Sequence, residues 1–178
     1  LVVHSMSLHH CNDPVGQIVQ CNRALQPDGL FMAACFGGKT LTELRAALST
    51  AETNLRGGLS PRVSPMAEIR DLGAILQRAG LALPVADCLK VPTTYRDVYH
   101  LMQDLRAMGE TNIMTARSKS FTSKALFKFT QKIYKREFSD QTGRLKCTFN
   151  LVFLSGWGPD AGQPKPLKPG SVTKTLQQ

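Results

Sequence analysis

The seven residues Leu30–Phe36, LFMAACF, are apolar throughout and do not alternate. Such a run marks a strand covered on both faces, and that kind of cover belongs to parallel sheets with helices above and below. The flanking sequence agrees. Residues 1–7 read as the end of another strand. Asn12-Asp13-Pro14 caps a helix that reaches Leu25, and Gln26-Pro27-Asp28-Gly29 stops it. After the run, Gly37-Gly38 frees the backbone, and Thr40 with Glu43 reads as a capping box for a helix carrying Leu41, Leu44, Leu48 and Leu55 at core spacing. Strand, helix, strand, helix predicts an α/β fold. The expectation is a central strand Leu30–Phe36 between residues 1–6 and 145–154, so buried that Met32→Asp or Ala34→Asp would unfold the chain.

Further along, Gly57-Gly58 and two Ser-Pro pairs (Ser60-Pro61, Ser64-Pro65) lead into a helix lined by Met66, Ile69, Leu72 and Leu76 and closed by Gly80. A strand is expected within residues 83–95, a helix over 97–108 ending at Gly109, a basic helix over 123–137, a turn at 140–143, and a strand over 145–155. The 178 residues suit one domain, 1–155, with a tail rich in Gly, Pro and Lys over 156–178. The chain opens on Leu1 inside an apolar run and so reads as a fragment. No apolar run reaches the roughly 18 residues of a membrane span. The five cysteines form no CxxC pair and mostly sit in apolar runs, as reduced thiols do.

Residues 1–111 are balanced in charge, and the whole excess of +9 lies in 112–178. Lys124, Lys128, Lys132 and Lys135 recur at helical spacing opposite Leu126, Phe129 and Ile133. A solvated face is the plain reading of those lysines, and an acidic partner or anionic membrane surface is the alternative. Nucleic acid is not expected, since no binding motif or aromatic platform accompanies them.

The motifs are sparse. His4, His9, His10 and Cys11 are metal-ligand types, but no second ligand pair follows at a useful spacing, so no metal is expected. There is no GxSxG elbow, GxGxxG or Walker loop, and no catalytic base is visible. Ligands of open α/β sheets sit beyond the carboxyl ends of the parallel strands, which directs attention to residues 5–12 and 37–40.

LVVHSMSLHHCNDP followed by RALQPDGLFMAACFGG resembles the fourth strand, the next helix and the fifth strand of class I S-adenosylmethionine-dependent methyltransferases. TLTELRAAL extends the likeness toward the malonyl-carrier-protein methyltransferases of biotin synthesis. SPRVSPMAEIRDLGAILQRAGLALPVAD, LMQDLRAMGETN, the strand ending LSGW, and QPKPLKPGS look like the family of mitochondrial complex I assembly factors that hydroxylate protein arginine, and its alphaproteobacterial relatives. The resemblance implies the C-terminal half of a Rossmann-like sheet, strands 4-5-7-6 of a 3-2-1-4-5-7-6 order, with a helical insertion before the last strand. The glycine-rich cofactor loop would lie in the missing N-terminal half, so the 178 residues alone are expected to be inactive. His10 departs from the family, where tryptophan is common at its position.

By that resemblance Ser5, Met6, His9 and His10 lie near the methionine end of S-adenosylmethionine. Arg106, Gly109, Glu110 and Asn112 line a lid over the substrate, Arg62 approaches from the Ser-Pro loop, and Gly37 and Gly38 floor the pocket. The implied reaction is hydroxylation of an arginine on a respiratory complex I subunit, in the mitochondrial matrix (at times peripheral to its inner membrane) or the bacterial cytoplasm. The alternatives are methyl transfer to a carboxyl or protein group, and a non-catalytic assembly module docking through its lysines.

Overall fold

The computed structural model describes residues 1–164. β1 (Val2–Ser5) leads through a single 3-10 turn, Leu8–His10, into α1 (Pro14–Ala24). The Asp13 carboxylate caps α1 by accepting the amide N–H of Gly16 at 2.8 Å. β2 (Leu30–Phe36), α2 (Thr42–Arg56), α3 (Ile69–Arg78), β3 (Ala82–Tyr95), α4 (Val98–Ala107), α5 (Lys124–Phe138) and β4 (Leu145–Trp157) follow.

The strands form one sheet in the order β1-β2-β4-β3. β1 and β2 run parallel, with Val3 opposite Met32, as a helical crossover such as α1 allows. β4 is antiparallel to both of its neighbours, and its Leu154 lies between Ala33 and Ala86. This is the expected placing of β2 between the first and last strands. β4 continues two residues past the expected Ser155, because Trp157 still pairs with Leu30 on one side and Ala82 on the other. The rest of the expected tail, residues 165–178, lies outside the described residues.

Alternation along the strands divides the core between the two faces of the sheet. On one face Phe31, Ala33, Cys35, Val152 and Leu154 pack under Ile18 of α1 and Leu72 and Leu76 of α3. On the other, Phe36, Leu145, Cys147 and Phe149 pack against α2, α4 and α5 through Leu44, Leu48, Leu101, Leu126, Ile133 and Tyr134. α5 turns Thr130 and Tyr134 fully inward, where the spacing had offered Phe129, which is only partly buried. Lys124, Lys128, Lys132 and Lys135 are all exposed.

That second face is only half covered. Val3, Met32, Phe153, Val85 and Leu89 point the same way and remain 64%, 47%, 44%, 58% and 53% exposed. The expectation that β2 is covered on both faces is therefore corrected: Phe31, Ala33 and Cys35 are buried, whereas Met32 is not. An unbroken apolar run records that both sides of a strand suit an apolar environment, not that these residues supply the cover.

A second correction concerns the start of α2. Thr40 and Glu43 form no capping box, and the cap position is Leu41 in a left-handed conformation, φ 56°. The buried Thr40 hydroxyl donates to the Gly37 carbonyl at 2.8 Å and accepts the Asn150 amide at 2.9 Å. Glu43 accepts the Thr148 hydroxyl at 2.6 Å and its amide at 3.2 Å. The two residues pin α2 to β4, and this fixes the wall of the cavity described next.

Candidate active site

The carboxyl ends of β1 and β2 lie side by side, and the chain leaves β1 through Met6 at φ 50°, a conformation that β-carbon crowding makes costly. The turn that follows brings His9 and His10 beneath the loop after α4. That loop is set by a helix end. Gly109 adopts φ 82°, its amide donates to the Arg106 carbonyl at 3.1 Å, and the Glu110 amide donates to the Leu105 carbonyl at 2.8 Å. This pair of bonds is a Schellman motif, and the left-handed residue at its centre favours glycine. Gly109 thus aims the Glu110 side chain.

Glu110 lies between the two histidines. Its Oε1 is 3.0 Å from His9 Nε2 and its Oε2 is 3.3 Å from His10 Nε2. The His9 and Glu110 side chains are 4% and 10% exposed. On the far side of the His9 ring the amide N–H of Phe36 donates to Nδ1 at 3.3 Å. A ring nitrogen that accepts carries no proton, so neutral His9 holds its proton on Nε2 and donates it to Glu110. Burial pushes the His9 imidazole below its ordinary 6.5, against the opposing pull of Glu110, which favours this neutral form. His9, His10 and Glu110 also place their donor atoms close enough to share a cation. The Phe36 amide decides between the two readings. A histidine ligating through Nε2 normally donates from its other nitrogen, and here that nitrogen faces a donor. Sequence spacing could not bring this cluster into view, because Glu110 lies 101 residues from His9.

A cavity of about 260 Å³ opens beside the cluster, between α2, α4 and residues 62–66. Leu41, Leu44, Leu48, Met102 and Leu105 give it apolar walls, while Arg62, Arg106, Glu110 and Asn112 line it with polar groups. Four of the seven residues expected at the substrate therefore meet in one chamber. Met66, expected inside α3, precedes that helix and lines the same chamber. Gly37 and Gly38 do not line it: a β-carbon on Gly37 would meet Val152 and the Ala67 carbonyl, and Gly38, at φ 52°, turns beside Asn150. Ser5 is exposed at the end of β1, and Met6 packs into the core.

The chamber's two arginines differ. Arg62 is committed to Glu52, which it meets at 2.8 Å, and to the Thr122 hydroxyl at 3.0 Å. Burial alone would raise the Glu52 carboxyl, but hydrogen bonds from Arg62 and Ser60 outweigh it and hold the group down to about 2. Arg106 is exposed at the chamber, and its guanidinium makes no ion pair or hydrogen bond among the described residues. Asn112 ties the two loops together by donating to the Pro61 carbonyl at 2.9 Å. Sequence reasoning missed Glu52, although a carboxylate four residues after Leu48, on the inward stripe of α2, was a visible signal. Thiol chemistry is disfavoured at the fully buried cysteines, since burial pushes Cys35 up to about 11 and Cys147 up to about 12.

Parallel strands with polar residues gathered at their carboxyl ends, closed by an antiparallel strand set inside the sheet, are the architecture of class I S-adenosylmethionine-dependent methyltransferases, and the chain belongs to that superfamily. The fold matches a Bacillus halodurans protein solved as a candidate methyltransferase, with a TM-score of 0.51 and 13% identity over 89% of this chain and 69% of that one. The chain is homologous throughout to the mitochondrial arginine-hydroxylase NDUFAF5, being 39% identical over 179 residues to the Dictyostelium discoideum protein, which covers 100% of this chain and 41% of that one. Malonyl-[acyl-carrier protein] O-methyltransferase of Laribacter hongkongensis is 31% identical over 170 residues, 96% of this chain and 54% of that protein. The chain spans about half the length of the curated relatives it matches. No protein-family model matches it.

Proposed function

We propose that the chain is part of a methyltransferase-superfamily enzyme that hydroxylates an arginine side chain of a protein, with a respiratory complex I subunit as the substrate. The observation that carries this reading is the similarity, along the whole of this chain, to about half the length of proteins named arginine hydroxylases, together with a chamber whose sole lining carboxylate among the described residues is Glu110. A protein arginine reaches such a chamber as a long, flexible side chain, and apolar walls suit its methylene stem. The Arg62–Glu52 pair, sealed by Ser60 and Thr122, holds the far wall without offering free charge.

S-adenosylmethionine is the cofactor this reading assigns, with its methionine end against Ser5, Met6, His9 and His10. One feature of those residues fits a bound polar molecule: His10 Nδ1 is buried without a hydrogen-bond partner. When bound, that cofactor would supply an electrophilic methyl group, which serves methyl transfer; hydroxylation would draw its oxygen atom and its two-electron oxidation from dioxygen and a reductant supplied from outside these residues. The chain's own residues orient the substrate and keep water out. The relatives are named mitochondrial, which supports a setting in the mitochondrial matrix, with the cytoplasm of a bacterium as the alternative. No helix among the described residues is long and apolar enough to cross a membrane.

A second reading, methyl transfer to a carboxyl group, draws on the malonyl-carrier-protein relatives and on the unpaired Arg106 guanidinium, which would hold a carboxylate bidentately. The two readings separate on Arg106→Gln. Arginine modification should survive this change at a reduced rate, whereas carboxyl methylation should fall at least tenfold in kcat/KM.

A further inference from the structure

Resting on the arginine reading above, we infer that Glu110 is the guanidinium receptor of the chamber and that His9 is the positioning residue that presents it, through the contact chain Phe36 amide, His9 Nδ1, His9 Nε2–H, Glu110 Oε1.

Three observations support this. First, Glu110 is the only carboxylate lining the chamber among the described residues, and both lining arginines are cations, so a cationic side chain that enters has one anionic acceptor to meet. Second, His9 holds the carboxylate at Oε1 and the Schellman end holds its backbone, yet it keeps accepting capacity. A carboxylate offers about four lone-pair sites; the His9 ring N–H uses one, and His10 Nε2 stands 3.3 Å from Oε2. A carboxylate on a fixed plane that keeps lone pairs on both oxygens is the acceptor that a guanidinium meets with two parallel N–H bonds. Third, the proton on His9 is not free to choose its nitrogen. The Phe36 amide is part of the end of β2 and cannot retreat, so His9 stays a donor toward Glu110 and cannot act as a base there. A mere structural contact between a loop and a turn would not need a locked tautomer, two imidazoles and a Schellman end converging on one side chain.

The chamber is built wholly from described residues of this chain, so binding can be tested on the 178-residue protein without cofactor. The probes are N-acetyl-arginine methylamide and its citrulline counterpart, which keeps the shape and loses the charge, titrated by nuclear magnetic resonance at dilute protein. Arginine is expected to bind about ten- to a hundredfold more tightly than citrulline, the range of a charge-assisted hydrogen-bond pair. Glu110→Gln should bring that ratio close to one, while Arg106→Gln, which removes a like charge from the chamber, should not lower it. The nitrogen shifts of the His9 ring should report a neutral ring protonated at Nε2, and His9→Gln, whose amide can still donate to Glu110, should keep more of the ratio than His9→Ala.

Equal binding of the two probes by the unaltered chain, no binding of arginine at millimolar concentration, or a ratio that survives Glu110→Gln overturns the inference. So does stoichiometric uptake of cobalt(II) that Glu110→Gln abolishes, since a metal on His9 Nε2 requires the opposite tautomer. Arginine selectivity that depends on Glu110, in an enzyme found to methylate a carboxyl group instead, would overturn the hydroxylase reading and leave the receptor standing.

Discussion

At the scale of single residues, two buried contacts set how the protein answers acid. His9 is held below its ordinary 6.5, so folding favours the neutral ring. The stability it contributes is complete above that value and fades as the pH falls below it, because the unfolded chain takes up the proton more readily. Glu52 is held down to about 2 from 4.5, so its contribution is present above 4.5 and is lost as the pH falls toward about 2. Urea midpoints measured across the acid range should therefore fall in two stages, and His9→Gln should remove the upper one alone. At neutral pH, Glu52→Gln should cost about 2 kcal/mol, since it leaves the Arg62 guanidinium short of its charged partner. A Glu52→Gln protein as stable as the parent in the same measurement would show that the pair is not what holds residues 60–62. Of these groups the sequence exposed only some. Glu52 announces itself as an acid on an apolar stripe, and the 109–112 segment is legible by resemblance. The meeting of His9 with Glu110 is not, because it depends on how α4 and β1 come together in space.

Among the elements, the helices and strands were readable wherever local chemistry decides them. Asp13 and Asp97 cap α1 and α4 as their positions imply, and β2 falls on Leu30–Phe36 with both expected neighbours. Reading failed where long-range partners override local preference. Thr40 and Glu43 carry capping chemistry, but β4 recruits both of them. Met32 carries core chemistry on a face that is open to solvent. The open face yields a paired prediction. Ala33→Asp buries a carboxylate beneath α1 and α3 and should cost several kcal/mol, while Met32→Asp should change stability by less than about 1 kcal/mol. Thermal melts of the two variants check this, and equal losses would mean that the open face is covered in solution. On α5, changing Lys124, Lys128, Lys132 and Lys135 to Glu should leave folding intact, since all four are exposed. The same change should weaken binding to an acidic partner in proportion to its salt sensitivity if those lysines dock one.

For the molecule as a whole, the open half-face and the exposed edge of β1 belong together. Leu1, Val3, Met32, Phe153, Val85 and Leu89 share one exposed face of the sheet, interrupted by Ser155 and Asp87, beside β1, which is unpaired on one side among the described residues, and such surfaces associate. The 178-residue chain in isolation is predicted to self-associate as its concentration rises, seen as a growing mass in light scattering, and to bind S-adenosylmethionine poorly. A monodisperse monomer with micromolar affinity for the cofactor would place the cofactor contacts within these residues. The α/β class was legible from the apolar run and its punctuation, and the Rossmann-like order of the sheet from the family resemblance. The bareness of its face was not, because apolar residues look alike whether or not something covers them.

The central claim is that this chamber serves the modification of a protein arginine. It is tested most directly by mass spectrometry of an arginine-bearing substrate peptide after incubation, with dioxygen, a reductant and S-adenosylmethionine present, with the protein extended by the segment its relatives carry beyond the matched span. The account predicts a gain of one oxygen atom on arginine that Glu110→Gln abolishes. A gain of one methylene unit on a carboxyl group, indifferent to Glu110→Gln and lost with Arg106→Gln, would contradict it.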